Sequence, residues 1–75
     1  MALRMLKMES GGYIIPEIPS LEIAQRHERL LRHEGHDVFI AGHFSPPLRV
    51  IIQGESFSDE HARRYAEVHG IEFAN

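Results

Sequence analysis

The sequence has no cysteine and no tryptophan. The first absence removes disulfide frameworks, Cys-zinc knuckles, iron–sulfur clusters and thiol nucleophiles together. Aromatic residues make up only 8%, and no apolar run approaches the ~20 residues of a membrane span. Met1 to Met8 is broken by Arg4 and Lys7 before a signal-peptide core can form. An excess of positive charge is missing as well. The formal net charge is −3 and the sequence pI about 6.0, so a broad nucleic-acid footprint is not expected. Gly11-Gly12 lacks the downstream Gly or Lys-Ser/Thr of a phosphate-cradling loop. Ser10, Ser20, Ser45, Ser56 and Ser58 read as turn or cap residues, and no Gly-x-Ser-x-Gly elbow surrounds any of them. Catalysis is not expected, and no cofactor is implied.

What remains is ordinary globular material, 75 residues at 43% hydrophobic and 25% charged. That length predicts one domain over residues 1–75, placed in the cytoplasm. A chain of this size buries roughly 60% of its unfolded surface, and its net stability is about 3–5 kcal/mol. With neither a disulfide nor a Cys-metal staple to add to that, oligomerisation is the remaining common supplement. A homodimer is the expected state.

Punctuation along the chain sets out the elements. Leu3 to Met8 alternates loosely, Glu9-Ser10-Gly11-Gly12 is a turn signal, and Tyr13-Ile14-Ile15 favours a strand closed by Pro16 and Pro19. Residues 1–18 therefore read as an N-terminal hairpin, the alternative being a partly disordered arm. Ser20 is a helix N-cap and Gly35 a helix stop. Between them Ile23, Ala24, His27, Leu30 and Leu31 make one helical stripe. Asp37 to Phe44 and Leu48 to Gln53 are β-branched and aromatic, joined through Ser45-Pro46-Pro47, and predict an antiparallel hairpin. Gly54-Glu55-Ser56 opens the next connection. Ser58 caps a second helix with stripe Ala62, Tyr65, Ala66 and His69, which Gly70 ends. Ile71-Glu72-Phe73 is a short final strand.

This order predicts an α+β fold, the ferredoxin-like split βαβ sandwich (β-α-β-β-α-β). It would have one antiparallel sheet, two helices on one face, and an extra N-terminal strand. Alternation puts Val38, Ile40, Leu48, Val50, Ile52, Ile71 and Phe73 under the helices. The same parity leaves Phe39, Ala41, His43, Arg49, Ile51, Gln53 and Glu72 on the open face. Phe39 and Ile51 are more apolar than a solvated face requires, which points to a partner surface there. The competing expectation is that the N-terminal hairpin folds across that face and buries it.

Six histidines are the most unusual feature of the composition. Protonating all six adds six charges to −3 and gives +3, so association or solubility can respond to acid. A metal site is the sharper reading, but the spacing is poor. The zinc-protease pattern needs two His four apart, whereas His27 and His33 are six apart, about 240° around a helix. His33 and His36, brought round by Gly35, would supply only two nitrogens. His27, on the apolar stripe, reads as a half-buried packing residue. His61 and His69 read as flanking the second helix. Arg26, Arg29 and Arg32 interleave with Glu22, Glu28 and Glu34, the pattern of a solvated face.

The expected function is a small non-catalytic protein-interaction factor of accessory, regulatory or inhibitory type. Stand-alone acidic proteins of this size include phage and mobile-element factors, and that class is included. Its partner-binding set is Phe39, Ala41, His43, Arg49, Ile51 and Gln53, with the edge strand at Asp37 a second place for a partner. The alternatives are a His-dependent metal- or anion-binding module through His33 and His36, and a weak nucleic-acid binder.

Overall fold

The computed structural model describes residues 3–42, 45–53 and 57–74. Among these described residues seven elements follow one another: β1 (Arg4–Lys7), β2 (Tyr13–Ile18), α1 (Leu21–His33), β3 (Asp37–Ala41), β4 (Leu48–Gln53), α2 (Asp59–Val68) and β5 (Glu72–Ala74). Both helices start and stop where the side chains dictate. The Ser20 and Ser58 hydroxyls accept from the backbone N–H groups of Ile23 and His61, satisfying donors that a first turn leaves orphaned. At the other ends Gly35 and Gly70 sit at φ +90° and +67°, the left-handed region that glycine enters without strain. Each allows a Schellman closure. His36 N–H donates to the Leu31 carbonyl at 3.1 Å, and Ile71 N–H to the Ala66 carbonyl at 2.7 Å.

The five strands form one sheet in the order β3-β4-β2-β1-β5. All neighbours are antiparallel except β1 and β5, which are parallel. The fold is thus α+β with a mixed sheet and two helices, and the expected all-antiparallel split βαβ order is corrected. In that order β5 would lie against β2. Here the tight turn at 8–12, closed by Met8 N–H to the Gly12 carbonyl at 2.7 Å, folds β1 back onto the free edge of β2. The last strand must then pair with β1. Because β1 runs opposite to β2, a β5 that also runs opposite to β2 meets β1 in parallel.

The core lies between the sheet and the helices. Met5, Tyr13, Ile15, Ile18, Val38, Leu48, Val50 and Ile52 come from the strands, and Ala24, Leu31, Ala62, Tyr65 and Ala66 from the helices. Phe57 is buried one residue before the Ser58 cap and Ala62 one turn after it, the positions of a hydrophobic staple. β2 reaches its last core position through a register shift between Ile15 and Ile18, where Glu17 takes φ 57°. The extra residue restores parity, and Ile18 returns to the buried side.

Asp59, in the first turn of α2, ties that helix to the hairpin. It accepts hydrogen bonds from the buried Tyr13 hydroxyl and from Lys7 Nζ, the latter at 3.1 Å. These bonds hold the Asp59 carboxyl below the usual carboxylate range, the Tyr13 bond contributing most. Burial, reinforced by the same carboxylate, pushes the Tyr13 phenol up to about 12. Among the described residues no helix is long and apolar enough to cross a membrane.

Candidate functional site

The parity of β3 and β4 sorts their side chains as the sequence pattern predicts. Val38, Leu48, Val50 and Ile52 are buried and Ile40 is half-buried, while Phe39, Arg49 and Gln53 are exposed and Ile51 and Ala41 half-buried. His43, assigned to the same open face, lies outside the described residues, as do Phe44 and the Gly54-Glu55-Ser56 opening of the connection to α2.

The N-terminal hairpin does not fold across the open face. It lies in the plane of the sheet and extends that face. Register then aligns a row that sequence reasoning captured only in part. Phe39 is opposite Ile51, Ile51 opposite Ile14, Ile14 opposite Leu6, and Leu6 opposite Ala74. Five apolar side chains thus cross all five strands in a straight line. Phe39 is 40% exposed, and the other four are half-buried by one another. Leu6 and Ile14 were missed because Tyr13-Ile14-Ile15 is apolar throughout. Only the burial of Met5 and Ile15 assigns their neighbours to the other side.

Charge is distributed unequally about this row. One step along the strands lie Arg49, opposite Ala41, and Arg4, opposite Glu72. One step the other way lies Asp37, opposite Gln53. Strand β3, at the sheet edge, is also partly closed to a pairing partner. The Arg32 guanidinium donates to the Val38 carbonyl from Nε at 3.1 Å and from Nη2 at 2.7 Å, and Nη2 lies 3.4 Å from Glu28. A charged side chain laid on an edge strand discourages further strand addition.

The histidines divide differently from their sequence pattern. His27 is fully buried rather than half-buried, at 2% exposure, because Tyr65 supplies a polar partner. Its Nδ1 lies 2.7 Å from the Tyr65 hydroxyl. Burial lowers the His27 pKa from 6.5 to about 4, helped by the nearby charges of His69 and Arg26. His33 is exposed in the last turn of α1. His36 packs edge-on against Phe57 at 4.8 Å between ring centres and faces His61 at 6.2 Å. Among the described residues no three or more His, Asp or Glu side chains converge to hold a metal ion.

No protein-family model, curated protein or solved structure matches the chain.

Proposed function

We propose that this chain is a non-catalytic interaction protein of the accessory, regulatory or inhibitory kind, docking on another protein through the open face of its sheet. The observation that carries this reading is the continuous row Phe39–Ile51–Ile14–Leu6–Ala74 on the face without helices. Solvent alone gives no reason for such alignment, whereas a protein interface wants an apolar centre with a polar rim.

The first occupant is a second copy of the chain. A two-fold axis running along the row lays each row on its mate and brings Arg49 of one copy over Gln53 of the other, one strand from its Asp37, while Arg4 stays beside Glu72. A patch that is complementary to itself under a two-fold is what an isologous dimer requires. The small core of a 75-residue chain supplies the energetic motive.

Sedimentation of two variants tests the reading. Ile51→Asp puts a carboxylate at the centre of the row, and dimer affinity is expected to fall by at least about 100-fold, as for a buried interface hot spot. A folded Ile51→Asp chain that associates like the parent refutes docking through the face. Arg32→Ala uncovers the β3 edge and leaves the face untouched. Its dimer affinity is expected to stay within about threefold of the parent, a surface-scale change. A large rise would move the working surface to the edge strand.

A further inference from the structure

On the helix side of the molecule, away from the open face, the C-terminal end of α1 and one side of α2 line a half-open cavity of about 150 Å³. Its walls are mostly flat rings: His36, Phe57, His61, Tyr65 and His69, with Arg64 beside them. These rings are arranged in contact rather than scattered. Tyr65 and His69 lie 4.2 Å apart at a tilt of 40°, Phe57 and Tyr65 meet edge to face at 6.4 Å, and His36 meets Phe57 in the same manner. His61 and His69 are eight positions apart on one helix, so both reach the same opening. The other wall comes from residues 25 or more positions earlier, which is why the sequence pattern alone does not reveal it.

We propose that this cavity binds a small planar monocarboxylate of the aromatic-acid class. The volume suits a single six-membered ring carrying one acidic group, and a nucleotide is too large for it. Ring walls favour a flat ligand, which can stack or meet them edge-on. The guanidinium of Arg64 presents the fork that matches a carboxylate bidentately. His61 supplies a second donor. The Ser58 hydroxyl accepts from the His61 backbone N–H at 3.3 Å and lies 3.0 Å from its Nδ1. In the tautomer in which the hydroxyl donates to Nδ1, the ring proton sits on Nε2 and is available to a ligand oxygen. Glu34, also on the wall, sets the charge limit. With neutral histidines the lining sums to zero, Glu34 offsetting Arg64, so a monocarboxylate leaves the site at −1 and is held by directed hydrogen bonds, whereas a dianion would leave it at −2.

This assignment is independent of docking through the sheet, and its test does not involve self-association. Backbone amide NMR shifts are followed as sodium benzoate is added to the intact chain. Inorganic phosphate, benzamidinium and zinc serve as separate probes. Benzoate is expected to give saturable shifts at His61, Arg64 and His69 with a millimolar dissociation constant, the range open to a ligand of about nine heavy atoms. Arg64→Gln, a change at an exposed position, is expected to weaken it about tenfold without moving the melting temperature. His61→Phe keeps a ring and removes the donor, and should also weaken it. Absence of saturation, equal binding of benzamidinium or phosphate, or full affinity in Arg64→Gln overturns the proposal. So does a zinc-induced shift that His61→Phe abolishes, since that outcome makes the cavity a metal site.

Discussion

A chain lacking residues 1–8 is expected to be unfolded. β1 looks like a dispensable terminal strand in the sequence, but it stands between β2 and β5. Its removal takes Met5, which is fully buried, out of the core. Emptying a buried Met site costs about 2–5 kcal/mol, as much as the about 3–5 kcal/mol that holds a domain of this size together. Two further losses add to that. β5 loses the strand it pairs with, and Asp59 loses the Lys7 ammonium. Circular dichroism and an amide NMR spectrum of the truncated chain check the expectation. A dispersed spectrum with a melting temperature near that of the full chain would show that the sheet closes without β1. Met5→Ala is the graded version, and should lower stability by about 2–5 kcal/mol in chemical denaturation.

Mild acid is expected to cost nearly as much. His27 titrates near 6.5 when unfolded and at about 4 when folded, because protonation would place a charge in a site sealed by α1, α2 and the sheet. Between those values the unfolded chain binds more protons, so stability falls as pH falls. The contribution is complete above about pH 6.5 and shrinks progressively toward pH 4, where about 3 kcal/mol has gone. At pH 5 roughly 2 kcal/mol is lost, which for this chain length corresponds to a melting temperature lower by about 8–16 °C than at pH 7.5. Asp59 does not produce this slope. Its carboxyl is already held low, so its contribution persists above the ordinary carboxylate range and is lost only in stronger acid. The double variant His27→Leu with Tyr65→Phe removes both members of the hydrogen-bonded pair and leaves neither unsatisfied. Its melting temperature should change little between pH 7.5 and 5. An undiminished slope in that variant would place the acid response on other groups.

How far the sequence foretells these features depends on how local their causes are. The bounds of α1 and α2 are legible because Ser20, Gly35, Ser58 and Gly70 act within one turn of the helix ends. The two faces of β3 and β4 are legible because alternation is a property of each strand alone. The place of β1 is not, since the turn at 8–12 says that two strands pair and nothing about which strand takes the outer edge. Its parallel contact with β5 joins Arg4 to Glu72, positions with no shared local pattern. The candidate site follows the same division. Phe39 and Ile51 can be picked out from two adjacent strands, whereas Ile14, Leu6 and Ala74 join them only through register. Likewise His27 cannot be recognised as fully buried until Tyr65, 38 positions later, is seen to face it.

The parallel pair at the sheet's edge also orders events in time. The segment at residues 4–7 leaves the ribosome before the rest of the sheet, yet its outer flank is covered only when residues 72–74 have been made. At bacterial and eukaryotic elongation speeds of about 5–20 residues per second, roughly 3–14 s separate the synthesis of the two segments. From its emergence until β5 pairs, the nascent hairpin carries an open row of backbone donors and acceptors beside Leu6 and Ile14, a template for pairing with whatever strand comes near. Neighbouring chains on one polysome are therefore the place to look for misassembly. A pause in synthesis just before residues 72–74 should lower soluble yield more than an equal pause before residue 4.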